Sequence, residues 1–170
     1  RQGELVQLYV EDIYQVDGTW VIDINNKADK RLKSEDAGRV VPLHRQLEKL
    51  GLILYLEKCK KLKQVKLFPA EKRNERDQFA YSKRFSSYRK KCGVVDGLVD
   101  FHAFRHTVSG ILIGKGVGEG IVNDIVGHAS QQRSETLRTY AAEGTFMPVK
   151  ADALKKLKYD IDFNYVKFWR

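Results

Sequence analysis

The segment Asp100-Phe-His-Ala-Phe-Arg-His-Thr-Val-Ser-Gly-Ile-Leu112 constrains this chain more than any other stretch. Asp100 suits a helix N-cap, and Phe101, Phe104, Val108, Ile111 and Leu112 recur at helical spacing. Ile113 prolongs the apolar end, and Gly114 and Gly116 supply the stop. On such a helix His102 and Arg105, three residues apart, project from neighbouring positions, on a side largely distinct from the one that buries the aromatics. An imidazole and a fixed cation displayed together near a helix N-terminus make a place for an anion, above all a phosphate. The alternative is a core-packed helix with a satisfied histidine and a surface arginine.

A length of 170 residues fits one domain with a real core. Charge is the unusual property: 31 lysines and arginines against 22 acids give +9. That excess favours an acidic partner, nucleic acid first and a membrane surface second, over a basic surface that is merely soluble. Cys59 and Cys92 are far apart, fit no metal spacing and make no disulfide framework, which suits a reducing cytoplasm. No apolar run approaches the length of about 18 residues of a membrane span, and no signal-peptide pattern opens the chain. Because the first residue is Arg1 rather than Met, the sequence reads as an excised piece of something longer.

The pattern along the chain predicts an α+β domain, mainly helical with one small antiparallel sheet. RQGELVQLYVEDI reads as a helix, TWVIDIN and RVVPL as strands, with Asp17-Gly18 marking a turn before the first. Between the strands lies a polar, basic hairpin or small sheet bearing Lys30, Arg31 and Lys33. A helix from about Leu43 carries Leu47 and Leu50, and Gly51 interrupts it before Leu52–Leu56. Lys58, Lys60, Lys61, Lys63 and Lys66 form the densest basic run, either a solvated face or a set of phosphate contacts. From about Asn74 to Lys91 a further helix places Tyr81, Phe85, Tyr88 and Cys92 on one stripe, as core. Ile121, Val122, Ile125 and Val126 form a short helix ended by Gly127, with His128 just past it. Ser134 caps a helix bearing Leu137 and Tyr140, and Pro148 opens a last one with Val149, Leu154 and Leu157.

The polar candidates are therefore Arg1, Lys33, His102, Arg105, His128 and Tyr140. Two arginines, a lysine and two histidines suit a phosphodiester whose non-bridging oxygens gain negative charge during substitution. A tyrosine can serve as nucleophile and conserve the energy of the broken strand as a phosphotyrosine. Its ordinary pKa of about 10 calls for neighbouring cations or a base. The leaving 5′-hydroxyl needs an acid, and a lysine on a hairpin can reach it.

In these features the chain resembles the catalytic domain of the tyrosine recombinases, the phage-integrase family. RQGELVQLYVEDI is similar to the family's first arginine box, and RLKSEDAGRVVPLH to its lysine hairpin and following strand. HAFRHT resembles the His-x-x-Arg-His box, VGH the following Gly-His, and TLRTY the box of the nucleophile, all in the family's order over residues 1–140. The resemblance implies that Arg1 and Arg105 bind the scissile phosphate and that Glu4 orients Arg1. It implies that Lys33 protonates the leaving 5′-oxygen, that His102 takes the tyrosine proton or holds the phosphate, and that His128 hydrogen-bonds a non-bridging oxygen. Tyr140 would attack, leaving a 3′-phosphotyrosyl link and a free 5′-hydroxyl, with neither metal nor nucleotide cofactor. Residues 1–170 would be one catalytic domain without the family's N-terminal core-binding domain. The partner would be double-stranded DNA, engaged by a homotetramer on paired sites in the cytoplasm. The tail from about Gly144 would be a candidate for packing on a neighbouring subunit, the alternative being that its leucines pack at home.

Other readings fit less of the chain. His102 and His106 have the spacing of a helical zinc pair, but Ala103 stands where a metalloprotease needs Glu, and Arg105 beside them repels a metal. GKGVGEG lacks the Gly-Lys-Ser/Thr ending of a P-loop. A non-catalytic DNA-binding module of the same fold would not need all six side chains. A type IB topoisomerase shares the nucleophile but has longer spacing between boxes.

Overall fold

The computed structural model describes residues 1–32, 34, 37–69, 77–95, 99–128 and 147–163. Its elements, in chain order, are α1 (Gln2–Val6), a 3-10 turn (Val10–Asp12), and strands β1 (Ile13–Val16), β2 (Thr19–Ile24) and β3 (Arg39–Pro42). They continue with helices α2 (Arg45–Lys49), α3 (Leu52–Lys61), α4 (Asp77–Lys91), α5 (Ala103–Gly114), α6 (Glu119–Val126) and α7 (Met147–Lys155). The mainly helical α+β expectation holds, with one three-stranded antiparallel sheet ordered β1-β2-β3.

The opening stretch departs from the expected single helix. The first helix stops at Val6, and Tyr9 pairs in a bridge with Lys66 before the 3-10 turn leads into β1. Leu8, Val10 and Ile13 are buried as expected, but on a turn and a strand rather than a helical face. The reason lies at Asp17-Gly18: both residues have positive φ, 48° and 76°, as a two-residue type I′ hairpin turn requires. That turn pairs Val16 with Thr19 and Ile13 with Ile22, so the residues before it must be extended. On the other side of β2, Ile24 pairs with Arg39 and Val21 with Pro42.

Two apolar clusters flank the sheet. One gathers Leu8, Val10, Ile13, Leu56, Cys59 and Leu67, and the other gathers Leu112, Val122, Ile125, Val126, Ala153, Leu154 and Leu157 from α5, α6, α7 and the turn after it. Each leucine or isoleucine so buried stabilises the fold by roughly 1.5–3 kcal/mol relative to exposure. Val41 of β3 packs on the second cluster, so this strand joins the sheet to the helices. Lys150, buried on α7, donates to the Val40 carbonyl at 3.0 Å and pairs with Asp124 of α6, tying three elements together. Leu154 of α7 and Leu157 just beyond it thus pack on their own chain, although Val149, expected on the same face, is 46% exposed. Among the described residues no helix is long and apolar enough to cross a membrane.

The aromatic stripe of α4 is only half buried. Tyr81 and Phe85 meet Phe101 edge-on at 5.9 and 5.2 Å between ring centres, while Tyr88 and Cys92 face solvent. This contact sets α4 against the start of α5. On the basic run, Lys60 pairs with Glu57 and lies over the Trp20 ring.

Candidate active site

The helix α5 begins at Ala103 with His102 at its N-cap position, two residues later than the sequence suggests. Asp100 still makes the expected capping hydrogen bonds, but the faces of the helix differ from expectation. Asp100 Oδ1 accepts from the backbone N–H groups of His102 and Ala103, at 2.7 and 3.2 Å, satisfying orphan donors of the first turn. The helix, however, turns its arginine inward. Arg105 is 8% exposed and Phe104 is 58% exposed, the reverse of an aromatic core face with an outward cation. His102 stays exposed, its ring edge-on to His106 at 4.9 Å.

Around Arg105 lie α1, β3 and the end of α6. Arg1 Nη1 donates to Glu4 Oε1 at 2.7 Å, and its Nη2 donates to the Gly127 carbonyl at 2.8 Å. Glu4 reaches back to the backbone nitrogen of Arg1 at 3.0 Å, as a residue at its place in a helix first turn can. Its other strong partner is Arg39, whose Nη2 donates to Glu4 Oε2 at 2.7 Å and whose Nε donates to the Ile125 carbonyl at 3.1 Å. Two arginines therefore cap the C-terminal carbonyls of α6, where cations are favoured. Gly127 ends that helix at φ 73°, ψ 40°, and His128 follows with Nδ1 at 3.3 Å from Asn123 Oδ1.

The electrostatics of this region are unbalanced. Burial pushes the Glu4 carboxyl up, but the hydrogen bonds and charge of Arg39, with the Arg1 nitrogen adding, outweigh it and hold the group at about 2. Glu4 is thus ionised, one carboxylate against the guanidiniums of Arg1, Arg39 and Arg105. Burial, then the charges of Arg1 and Arg39, bring Arg105 down to about 10, still cationic at neutral pH. Its Nε, Nη1 and Nη2 are all buried without a hydrogen-bond partner among the described residues. An unmatched buried donor costs about 1–3 kcal/mol, and more when charged. Both histidines feel the excess: burial and the Arg105 charge lower His102 and His128, and Arg1 lowers His128 further.

Of the residues singled out from the sequence, Arg1, Glu4, His102, Arg105 and His128 thus come together, whereas Lys33 and Tyr140 lie outside the described residues. Lys30, a neighbour of Lys33, is removed from consideration as an acid. It is buried, donates to Asp12 Oδ1 at 2.6 Å and lies over the Tyr9 ring. Next to it Arg31 is clamped by Gln7 through two backbone hydrogen bonds of 2.8 Å. Sequence reasoning missed Arg39, taken only as the first residue of a strand. The available signal was Glu4, an acid beside Arg1 with room for a second cation. Among the described residues no group of three or more metal-binding side chains joins His102 and His106.

Residues 1–145 match the model of the phage integrase family. The chain belongs to that family. The boxes of family residues read from the sequence all fall within the matched span. Among solved structures the fold is similar to that of the XerH site-specific recombinase bound to palindromic difH substrate in a post-cleavage complex, with TM-score 0.55 and 24% identity. That match covers 86% of this chain and 40% of the recombinase chain, so the likeness is one of fold over less than half of the larger molecule. Comparison with curated proteins gives no match.

Proposed function

We propose that this chain is the catalytic domain of a site-specific DNA recombinase, an integrase of a phage or mobile element that breaks and rejoins strands through Tyr140. The observation that carries the reading is the buried Arg105 guanidinium, without a partner among the described residues, with Arg1 beside it and two histidines whose cations burial, and then the same charge, disfavour. A scissile phosphate supplies what such a pocket lacks: oxygens for the free donors and negative charge for the excess cations. Family membership adds the nucleophile, and the similarity to a DNA-bound recombinase adds the duplex as substrate.

In this mechanism Arg1 and Arg105 hold the non-bridging oxygens and stabilise the charge that builds on them. Tyr140 Oη attacks phosphorus as its proton passes to His102, and the bond from phosphorus to the 5′-oxygen breaks. Lys33 gives that oxygen a proton. The product is a 3′-phosphotyrosyl enzyme and a free 5′-hydroxyl, and attack by a partner strand's 5′-hydroxyl reverses each transfer. His128 donates to a non-bridging oxygen from Nε2 once the phosphate charge has favoured its protonated form. No metal or nucleotide is called for, because the phosphotyrosine conserves the bond energy. Strand exchange engages four copies on two paired sites.

Trapping on a nicked suicide substrate with the full-length protein tests this reading. Wild type gives a covalent adduct, and Tyr140→Phe gives none while folding and binding DNA as before. An adduct that persists in that variant moves the nucleophile elsewhere. Lys33→Ala slows cleavage, and a substrate with sulfur at the 5′-bridging position, which needs no acid, restores it. Absence of rescue removes Lys33 from the acid's role.

A further inference from the structure

We infer that Arg39 is a positioning residue of this site, holding the Arg1–Glu4 pair and the Gly127–His128 turn in register around Arg105. The inference rests on the phosphodiester reading and adds to it a residue on β3.

The Arg39 side chain is only 6% exposed, and most of its donors are engaged. Nη1 donates to the Ala37 carbonyl at 2.9 Å and to Glu4 Oε1 at 3.3 Å, Nη2 to Glu4 Oε2 at 2.7 Å, and Nε to the Ile125 carbonyl at 3.1 Å. One planar group therefore joins the loop before its own strand, the acid that grips Arg1, and the end of the helix that leads to His128. The same guanidinium fills the space beside Gly127: a Cβ there would lie 2.5 Å from Nη1 and 2.6 Å from Cζ. Gly127 also needs its left-handed φ of 73°, so two independent constraints keep this turn glycine. β3 is itself fixed, through Val41 in the helical cluster and the Lys150 bond to the Val40 carbonyl. With four of its five N–H donors spent on protein oxygens, Arg39 is held by the protein rather than aimed at the phosphate. It places the groups that bind the phosphate.

Lysine cannot substitute for such a planar fork, because one ammonium does not reach oxygens on three elements at once. The test compares Arg39→Gln and Arg39→Lys with wild type in the full-length protein. Three properties are read: single-turnover cleavage of the suicide substrate at saturating DNA, DNA affinity, and the shift of the His128 ring signals by NMR as inorganic phosphate is added. Both variants are expected to cleave about 100-fold more slowly, the scale of a misplacement of about 1 Å. DNA affinity stays near wild type, and phosphate is felt at His128 only at about tenfold higher concentration. Either variant cleaving at the wild-type rate overturns the proposal, as does a rate loss that only tracks the unfolded fraction. If Arg39→Gln does not fold, Arg39→Lys decides, and if neither folds Arg39 is a stability element and the proposal falls. Should wild type bind phosphate yet form no adduct at Tyr140, the strand-exchange reading fails, and Arg39 is judged on phosphate affinity alone.

Discussion

Two of the places where this molecule buries basic side chains are opposites. At the base of the loop between β2 and β3, Lys30 meets Asp12 at 2.6 Å, and Asp12 also accepts from Asn25 and from the Tyr9 backbone, so charge and hydrogen bonds close on themselves. At the meeting of α1, β3, α5 and α6, one carboxylate faces three guanidiniums, and the Arg105 donors have no partner among the described residues. The first arrangement is scaffold: it anchors the chain close to Lys33 and asks for nothing from outside. The second leaves charge and donors unmatched among the described residues, which is costly, and in the function proposed above a phosphate would complete it. A buried cation by itself therefore says little about function, whereas a buried cation with idle donors says which chemistry is missing.

The largest effects should separate the two places. Arg105→Met removes the unmatched charge, so cleavage on the suicide substrate should fall by about a thousandfold. Stability in urea should rise by about 1–3 kcal/mol, because no protein bond is lost. Arg105→Met that unfolds more easily would mean that the guanidinium has a structural partner, and the contrast would break. Lys30→Met should do the reverse, costing about 3 kcal/mol by leaving Asp12 without its cation. Adding Asp12→Leu should return part of that loss. Equal destabilisation by the single and double variants would show that Asp12 is held well enough by Asn25 and the backbone.

How far the sequence displayed this contrast depends on the kind of signal. Motif order placed Arg1, Glu4, His102, Arg105 and His128 in one site, and helix grammar found the Asp100 side chain that accepts from the first backbone N–H groups and the Gly127 stop. Periodicity failed where a turn overrode it: Asp17-Gly18 makes the preceding residues a strand, although Leu5, Leu8 and Ile13 also fit a helical face. It failed again on α5, where apolar spacing put Phe104 inside and Arg105 out. Spacing carries no information about which face of the helix meets α1, β3 and α6, and Arg105 lies on that face despite the like charges of Arg1 and Arg39. Arg39 was invisible because its partners lie 35 and 86 residues away, and only the packed sheet brings them within reach.

Two smaller effects follow from protonation. The Glu4 carboxyl at about 2 lies below its ordinary value of 4.5, so it contributes stability that is complete above about 4.5 and is lost as pH falls towards 2. Glu4→Gln should accordingly melt lower than wild type at neutral pH, with the gap closing on acidification. A gap that does not change with pH would mean that shape rather than charge matters there.

The smallest effect reads the excess charge directly. In the free protein His128 should titrate below its ordinary 6.5, because burial and the Arg105 and Arg1 charges disfavour its cation. Inorganic phosphate should raise it by cancelling part of that charge. Arg105→Met should raise it without phosphate, though not fully, since burial is the largest cause and persists. Lys30→Met, which disturbs a neutral pair not among the influences on His128, should leave it where it was. Ring signals followed by NMR across the titration distinguish these cases. A His128 that titrates at or above 6.5 without added anion would mean that the guanidinium charge is already balanced. The two buried basic sites would then differ in geometry alone.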